Sequence, residues 1–121
     1  VGYYNDVVLS IAPEAADSFY PLLSSDQALY DLVMKGSESF DTSKFRKGDI
    51  LIEWYGVKWG DRYPEVAKLN KWRSSLPKEH YRFTRIGEDS NDIEEIGDYG
   101  WDFIQITRPH IEIQIPSEPE D

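Results

Sequence analysis

The sequence has no cysteine, only two histidines, and no apolar run approaching the roughly 18 residues of a membrane span. Without cysteine there can be no disulfide, zinc–thiolate site, iron–sulfur cluster or thiol nucleophile, and a reducing, cytoplasmic setting is expected. The histidines stand in unpromising places: His80 beside Glu79 at a strand start, and His110 after Pro109 between two apolar segments. No serine sits in a nucleophile-elbow context, so a catalytic triad cannot be assembled. GVKWGD (56–61) lacks the G-x-x-x-x-G-K-[ST] spacing of a phosphate loop. The expectation is a chain that is not an enzyme and needs no cofactor or membrane.

Basic residues are missing from one part of the chain. Residues 1–85 hold 12 acids and 12 bases, whereas residues 86–121 hold 11 acids and only Arg108, so the last third carries the whole net charge of −10. Such an end repels phosphate backbones and suits a basic partner, or simply solubility. With 40% hydrophobic and 14% aromatic residues in 121, one domain with a real core is expected over residues 1–115, followed by a short, disordered acidic tail at 116–121.

VVLSIA (7–12) reads as a buried strand ending at Pro13. A helical region follows, broken near Ser24–Ser25 and stopped at Gly36, as one kinked helix or two short ones. SESFDTSKF (37–45) reads as an edge strand or a loop, and Lys47-Gly48-Asp49 as a turn. In DILIEWYGVKW, Ile50, Ile52 and Trp54 share one face and Leu51, Glu53 and Tyr55 the other, with Gly56 at a bulge. Pro64 opens the clearest helix, striped by Val66, Leu69, Trp72 and Leu76, with Lys68, Lys71 and Arg73 on its solvated face. HYRFTRIG alternates as a strand, DIEEIGDYG reads as a second hairpin arm broken at Gly97 and Gly100, and Ile104/Ile106 and Ile111/Ile113/Ile115 alternate beyond it. This order predicts an α+β fold: a ferredoxin-like sandwich, mainly antiparallel, with two helical segments on one face.

The densest chemistry is RIGEDSNDIEEIGDYGWD (85–102), with seven carboxylates after its single arginine. It is not an EF-hand: counted from Asp89, Ile93 takes position five and Glu94 replaces the turn glycine. No metal site is assigned. As acid–base pairs these residues lack a cleft to separate their pKa values. A nucleic-acid surface drawn from Trp54, Tyr55, Lys58, Trp59, Arg62 and Tyr63 fails because alternate strand residues face opposite ways. The bland reading is a solvated hairpin protecting a sheet edge. The sharper one is a partner-binding surface of Glu88, Asp89, Asp92, Glu94, Glu95, Asp98 and Asp102, with Tyr99 and Trp101 as aromatic anchors.

The runs WYGVKWGDRYPEVAKLNKW and YRFTRIGEDSNDIEE, together spanning about residues 54–95, resemble a class of small phage- or prophage-encoded accessory proteins with a Val-Lys-Trp, Tyr-Pro-x-Val and Arg-Ile-Gly-Glu pattern. The class carries no general activity. The resemblance implies a short, soluble accessory protein in the host cytoplasm, of a kind that binds and inhibits host enzymes or defence complexes. The function expected is therefore a non-catalytic inhibitor that occupies a basic, nucleic-acid-binding surface by mimicking DNA, without itself binding nucleic acid, as a monomer or homodimer. The alternative is a small nucleotide- or RNA-binding domain or enzyme using Lys58, Arg82 and Arg85.

Overall fold

A computed structural model describes residues 2–121. Strand β1 (Asn5–Ile11) leads into helices α1 (Pro13–Ser24) and α2 (Gln27–Met34), then strands β2 (Ser39–Thr42) and β3 (Ile50–Val57). Helix α3 (Pro64–Ser74) and a 3-10 turn at Lys78–His80 precede β4 (Tyr81–Ile86) and β5 (Ile93–Ile96). The chain closes with the hairpin β6 (Ile104–Thr107) and β7 (His110–Ile113). Five strands form one sheet in the order β2-β3-β1-β4-β5, every neighbouring pair antiparallel, while β6 and β7 form a separate two-stranded sheet. The fold is thus α+β with an antiparallel sheet, as the element order predicts. Of the two readings of the first helical segment, two short helices form, divided after Ser24: Asp26 accepts from the Leu29 amide at 3.1 Å and caps the second. No helix among the described residues is long and apolar enough to cross a membrane.

Both sheet faces are covered. On the first, Val7, Leu9, Ile11, Ile50, Ile52, Trp54 and Phe83 pack against Phe19, Leu29, Val33 and Leu69 of the three helices. On the second, Val8 and Leu51 pack against Phe45, Tyr99, Ile104 and Ile111. The acidic last third therefore supplies a second hydrophobic layer. Its final isoleucines do not extend the main sheet but lie across it. Arg82, which also faces this layer, pins it in place. It donates from Nε to the Ile104 carbonyl (3.2 Å), and from the terminal nitrogens to the Gly97 carbonyl and to Glu95 (2.9 Å each).

Two further expectations meet a different outcome. Segment 116–121, expected as a disordered tail, runs back along residues 45–47: the Lys47 amide donates to the Glu120 carbonyl (2.8 Å) and the Glu120 amide to the Phe45 carbonyl (2.9 Å). The pairing is through the backbone of Glu120; the Lys47–Asp121 ion pair at 2.8 Å is exposed and adds little. Arg73, expected on a solvated face, is buried, with its guanidinium 3.9 Å from the centre of the Phe83 ring. The long side chain crosses over the end of the sheet instead of reaching water. The bulge expected at Gly56 is present: Asn5 pairs with Val57 and Asp6 with Tyr55, leaving Gly56 as the extra residue at φ +72°.

Candidate functional site

The acidic stretch folds as a turn, the edge strand β5, and a loop at 97–103 leading into β6. Cross-strand register sets β4 against β5, with Arg85 opposite Glu94 and Thr84 opposite Glu95. Arg85 donates from Nε to Glu94 (2.7 Å), from Nη2 to Asp92 (2.6 Å) and from Nη1 to Asn5 Oδ1 (2.7 Å). Tyr3 adds a hydroxyl hydrogen bond to Asp92 at 2.8 Å. Gly87 permits this closure by its size: a Cβ there would stand 2.9 Å from Asp92 Cγ, closer than packed side chains come. These partners hold the Asp92 carboxyl below its ordinary value, Arg85 first and Tyr3 second, and Asp92 with Glu94 raises the Arg85 value.

The sign of the linkage follows. A carboxyl with a lowered folded-state pKa stabilises the fold above its ordinary value of 3.8, and loses that contribution as pH falls through the lower folded value. Asp92→Asn should therefore cost about 1 kcal/mol at neutral pH, a figure kept small because the side chain is 34% exposed and screened. It should also flatten the fall in stability below pH 3.8. Urea titrations of both proteins at neutral and acidic pH check this, and parallel pH profiles would remove the pair from the account.

Of the nine residues expected to bind a partner, three carboxylates are thus spoken for within the chain: Asp92 and Glu94 by Arg85, and Glu95 by Arg82. Glu88 is exposed and accepts the Tyr4 amide at 2.6 Å. Asp89, Asp98 and Asp102 are exposed, with no ion pair among the described residues. Tyr99, expected as a surface anchor, is buried in the second core, where its hydroxyl donates to Asp49 at 2.7 Å. Burial first and this hydrogen bond second raise its pKa. Trp101 is the opposite case, 57% exposed at the apex of the 97–103 loop between Asp98 and Asp102.

The free carboxylates fall into two groups, since β4 starts beside Asp98 and ends beside Glu88–Asp89. The Asp98 amide donates to the Lys78 carbonyl just before Tyr81, and the Gly87 amide to the Asp92 carbonyl just after Ile86. The strand between them spans about 17 Å. β5 is an edge strand, so Glu94 and Glu95 also stand where charge discourages pairing with a foreign strand. Of the alternative ligand-binding cations, Arg82 and Arg85 are committed to internal acceptors, and Lys58 lies 5.9 Å from the Tyr4 ring.

Sequence reasoning passed over a cleft between α3 and the Asn5 end of β1, lined by Asn5, Trp59, Lys71, Arg73, Arg85 and neighbouring residues, with a volume of about 760 Å³. Nothing in local spacing brings these residues together, because they come from four separate segments. No group of three or more potential metal ligands occurs among the described residues. Comparison with protein families, curated proteins and solved structures finds no match.

Proposed function

We propose that this chain is a ferredoxin-like domain, widened by the edge strand β5 and the β6–β7 layer, that acts without catalysis by binding a basic protein surface. In a phage setting that partner is a host nucleic-acid enzyme or defence complex, and binding inhibits it. The fold half of the reading rests on the strand order β2-β3-β1-β4 with helices on one face, the pattern of a split βαββαβ unit. The functional half rests on one observation above the rest: Trp101 is largely exposed between Asp98 and Asp102, neither of which has an ion pair among the described residues. An aromatic anchor ringed by charge is the composition that binding hot spots favour, and the charge adds steering toward a basic partner.

DNA mimicry takes a narrower form in this reading. The unpaired acids stand as two clusters, Asp98/Asp102 and Glu88/Asp89, and not as one continuous row. Two groups at opposite ends of a strand about 17 Å long can still match separated phosphate contacts in a groove built for nucleic acid. The test is affinity capture from a nuclease-treated bacterial lysate, eluted with salt, using the wild type and two variants. Trp101→Ala with Asp98→Asn and Asp102→Asn should lose the captured protein, and Glu88→Gln with Asp89→Asn should release it at lower salt. Equal retention by all three proteins would refute the assignment.

A further inference from the structure

The C-terminal segment and the 97–103 loop enclose a small pocket with an aromatic floor. The Glu120 amide donates to the Phe45 carbonyl at 2.9 Å and the Lys47 amide to the Glu120 carbonyl at 2.8 Å, which lays the end of the chain along one side. Gly100, at φ +82°, brings the loop in on the other side, where a Cβ would stand 3.2 Å from Phe45 Cε2. Gly100 and Phe103, the two residues that flank Trp101 and Asp102 in the chain, both line the opening. The Phe45 and Phe103 rings lie parallel, with centroids 5.0 Å apart and planes within 7°. Phe45 is buried and Phe103 half-buried, so Phe103 offers the surface that a guest would meet.

The charge at this opening is negative once the existing pairs are counted. Arg46, the one base in the lining, gives both terminal nitrogens to Glu14 at 3.2 Å each, and neighbouring Lys47 pairs with Asp121 at 2.8 Å. Lys44, the other base of that loop, is not part of the lining. Glu118 and Glu120 are both at the rim, exposed, and without an ion pair among the described residues. Glu120 is held through its backbone, which leaves its carboxylate free to meet a partner. Asp98 and Asp102 on the facing loop add charge of the same sign. Two unmatched carboxylates beside a flat aromatic surface suit a cation that is itself flat.

We propose that this pocket receives one arginine side chain of the basic partner, with the guanidinium against Phe103 and paired to the Glu118/Glu120 rim. The proposal rests on the protein-binding reading above and names the group that the surface recognises beside Trp101. The volume of about 240 Å³ falls below the roughly 300–1,000 Å³ of small-molecule sites and matches a single side chain entering from outside. Arginine fits better than lysine, because a guanidinium is planar, weakly hydrated and stacks on aromatic rings, whereas an ammonium is a compact, strongly hydrated charge. Binding hot spots also pair with one another, and arginine and tryptophan are prominent among them.

The test is a nitrogen–proton NMR titration of the full chain with acetyl-arginine methylamide, its lysine counterpart and its citrulline counterpart as separate probes at constant ionic strength. Saturable shifts of the Gly100 and Phe103 amides with arginine are expected, weaker ones with lysine, and none with citrulline, which keeps the planar shape without the charge. Glu118→Gln with Glu120→Gln should weaken arginine binding several-fold and leave the fold intact, since both side chains are exposed. Phe103→Leu should weaken it too, but that ring also packs on Phe45, so the glutamine variant decides. Shifts that do not saturate with arginine, equal binding of lysine or citrulline, or affinity unchanged in the glutamine variant would overturn the proposal. In the capture experiment the glutamine variant should release the partner at lower salt than the wild type. Failure of the protein-binding reading shows separately, as full retention of the captured protein by the Trp101 variant.

Discussion

Asp49→Ala is expected to destabilise the domain by about 3–5 kcal/mol, the largest effect of any single polar substitution in this fold. The carboxylate is fully buried and accepts four hydrogen bonds. Three come from consecutive backbone amides, Lys44 (2.8 Å), Phe45 (3.0 Å) and Arg46 (2.9 Å), and the fourth from the Tyr99 hydroxyl (2.7 Å). Alanine leaves all four donors stranded at about 1–3 kcal/mol each. Water reaching the half-buried Lys44 and Arg46 amides brings the sum down. The residue does two jobs: it folds the loop between β2 and β3, and it ties that loop to the C-terminal layer. Urea denaturation measures the loss, and a double-mutant cycle with Tyr99→Phe should show coupling between the two positions. A loss below about 1 kcal/mol would mean that the loop holds itself without the carboxylate.

Trp54→Ala should cost about 3–5 kcal/mol and lower the melting temperature by roughly 10–20 °C. Its side chain has no exposed surface, sits 5.1 Å from the Trp59 ring between centroids, and donates its indole N–H to the Leu32 carbonyl at 2.9 Å. Removal opens a cavity in the centre of the helix-side core and frees the carbonyl near the end of α2. Trp54→Phe fills most of the space and should lose much less, about 1–2 kcal/mol, mainly from the missing hydrogen bond. Thermal unfolding followed by circular dichroism separates the two variants. Similar melting temperatures for both would shift the cost from packing to the N–H bond.

The parts of the fold most legible in the sequence are those specified locally. Alternation in ILIEWYGV places Trp54 inside and Tyr55 outside, and Pro64 with the 66/69/72/76 stripe defines α3, because periodicity of 2 and of 3.6 leaves different signatures. The apolar run VVLSI also carried a signal of burial on both faces. What it did not carry was the identity of the second cover. Nothing local says that Ile104 and Ile111 fold across the sheet instead of extending it, and Tyr99 meets Asp49 only through a separation of 50 residues.

The candidate surface was legible to a similar degree. Composition locates the acids, but only the β4–β5 register reveals that Arg85 and Arg82 consume three of them. Burial separates the two aromatic residues once treated alike: Tyr99 lies in the second core, while Trp101 on the same loop stays out. Asn5, Trp59 and Arg73 formed no motif, since their meeting depends on the Gly56 bulge, the loop that follows β3, and the path of a long side chain over Phe83.

The central claim is that Trp101 and the unpaired acids occupy a basic surface built for nucleic acid. It is tested most directly by repeating the capture with duplex DNA as competitor. The account predicts one basic nucleic-acid-binding protein that DNA displaces, that leaves at intermediate salt, and that the Trp101/Asp98/Asp102 variant fails to hold. A partner that remains bound against excess DNA, or binds the variant as tightly as the wild type, would contradict it.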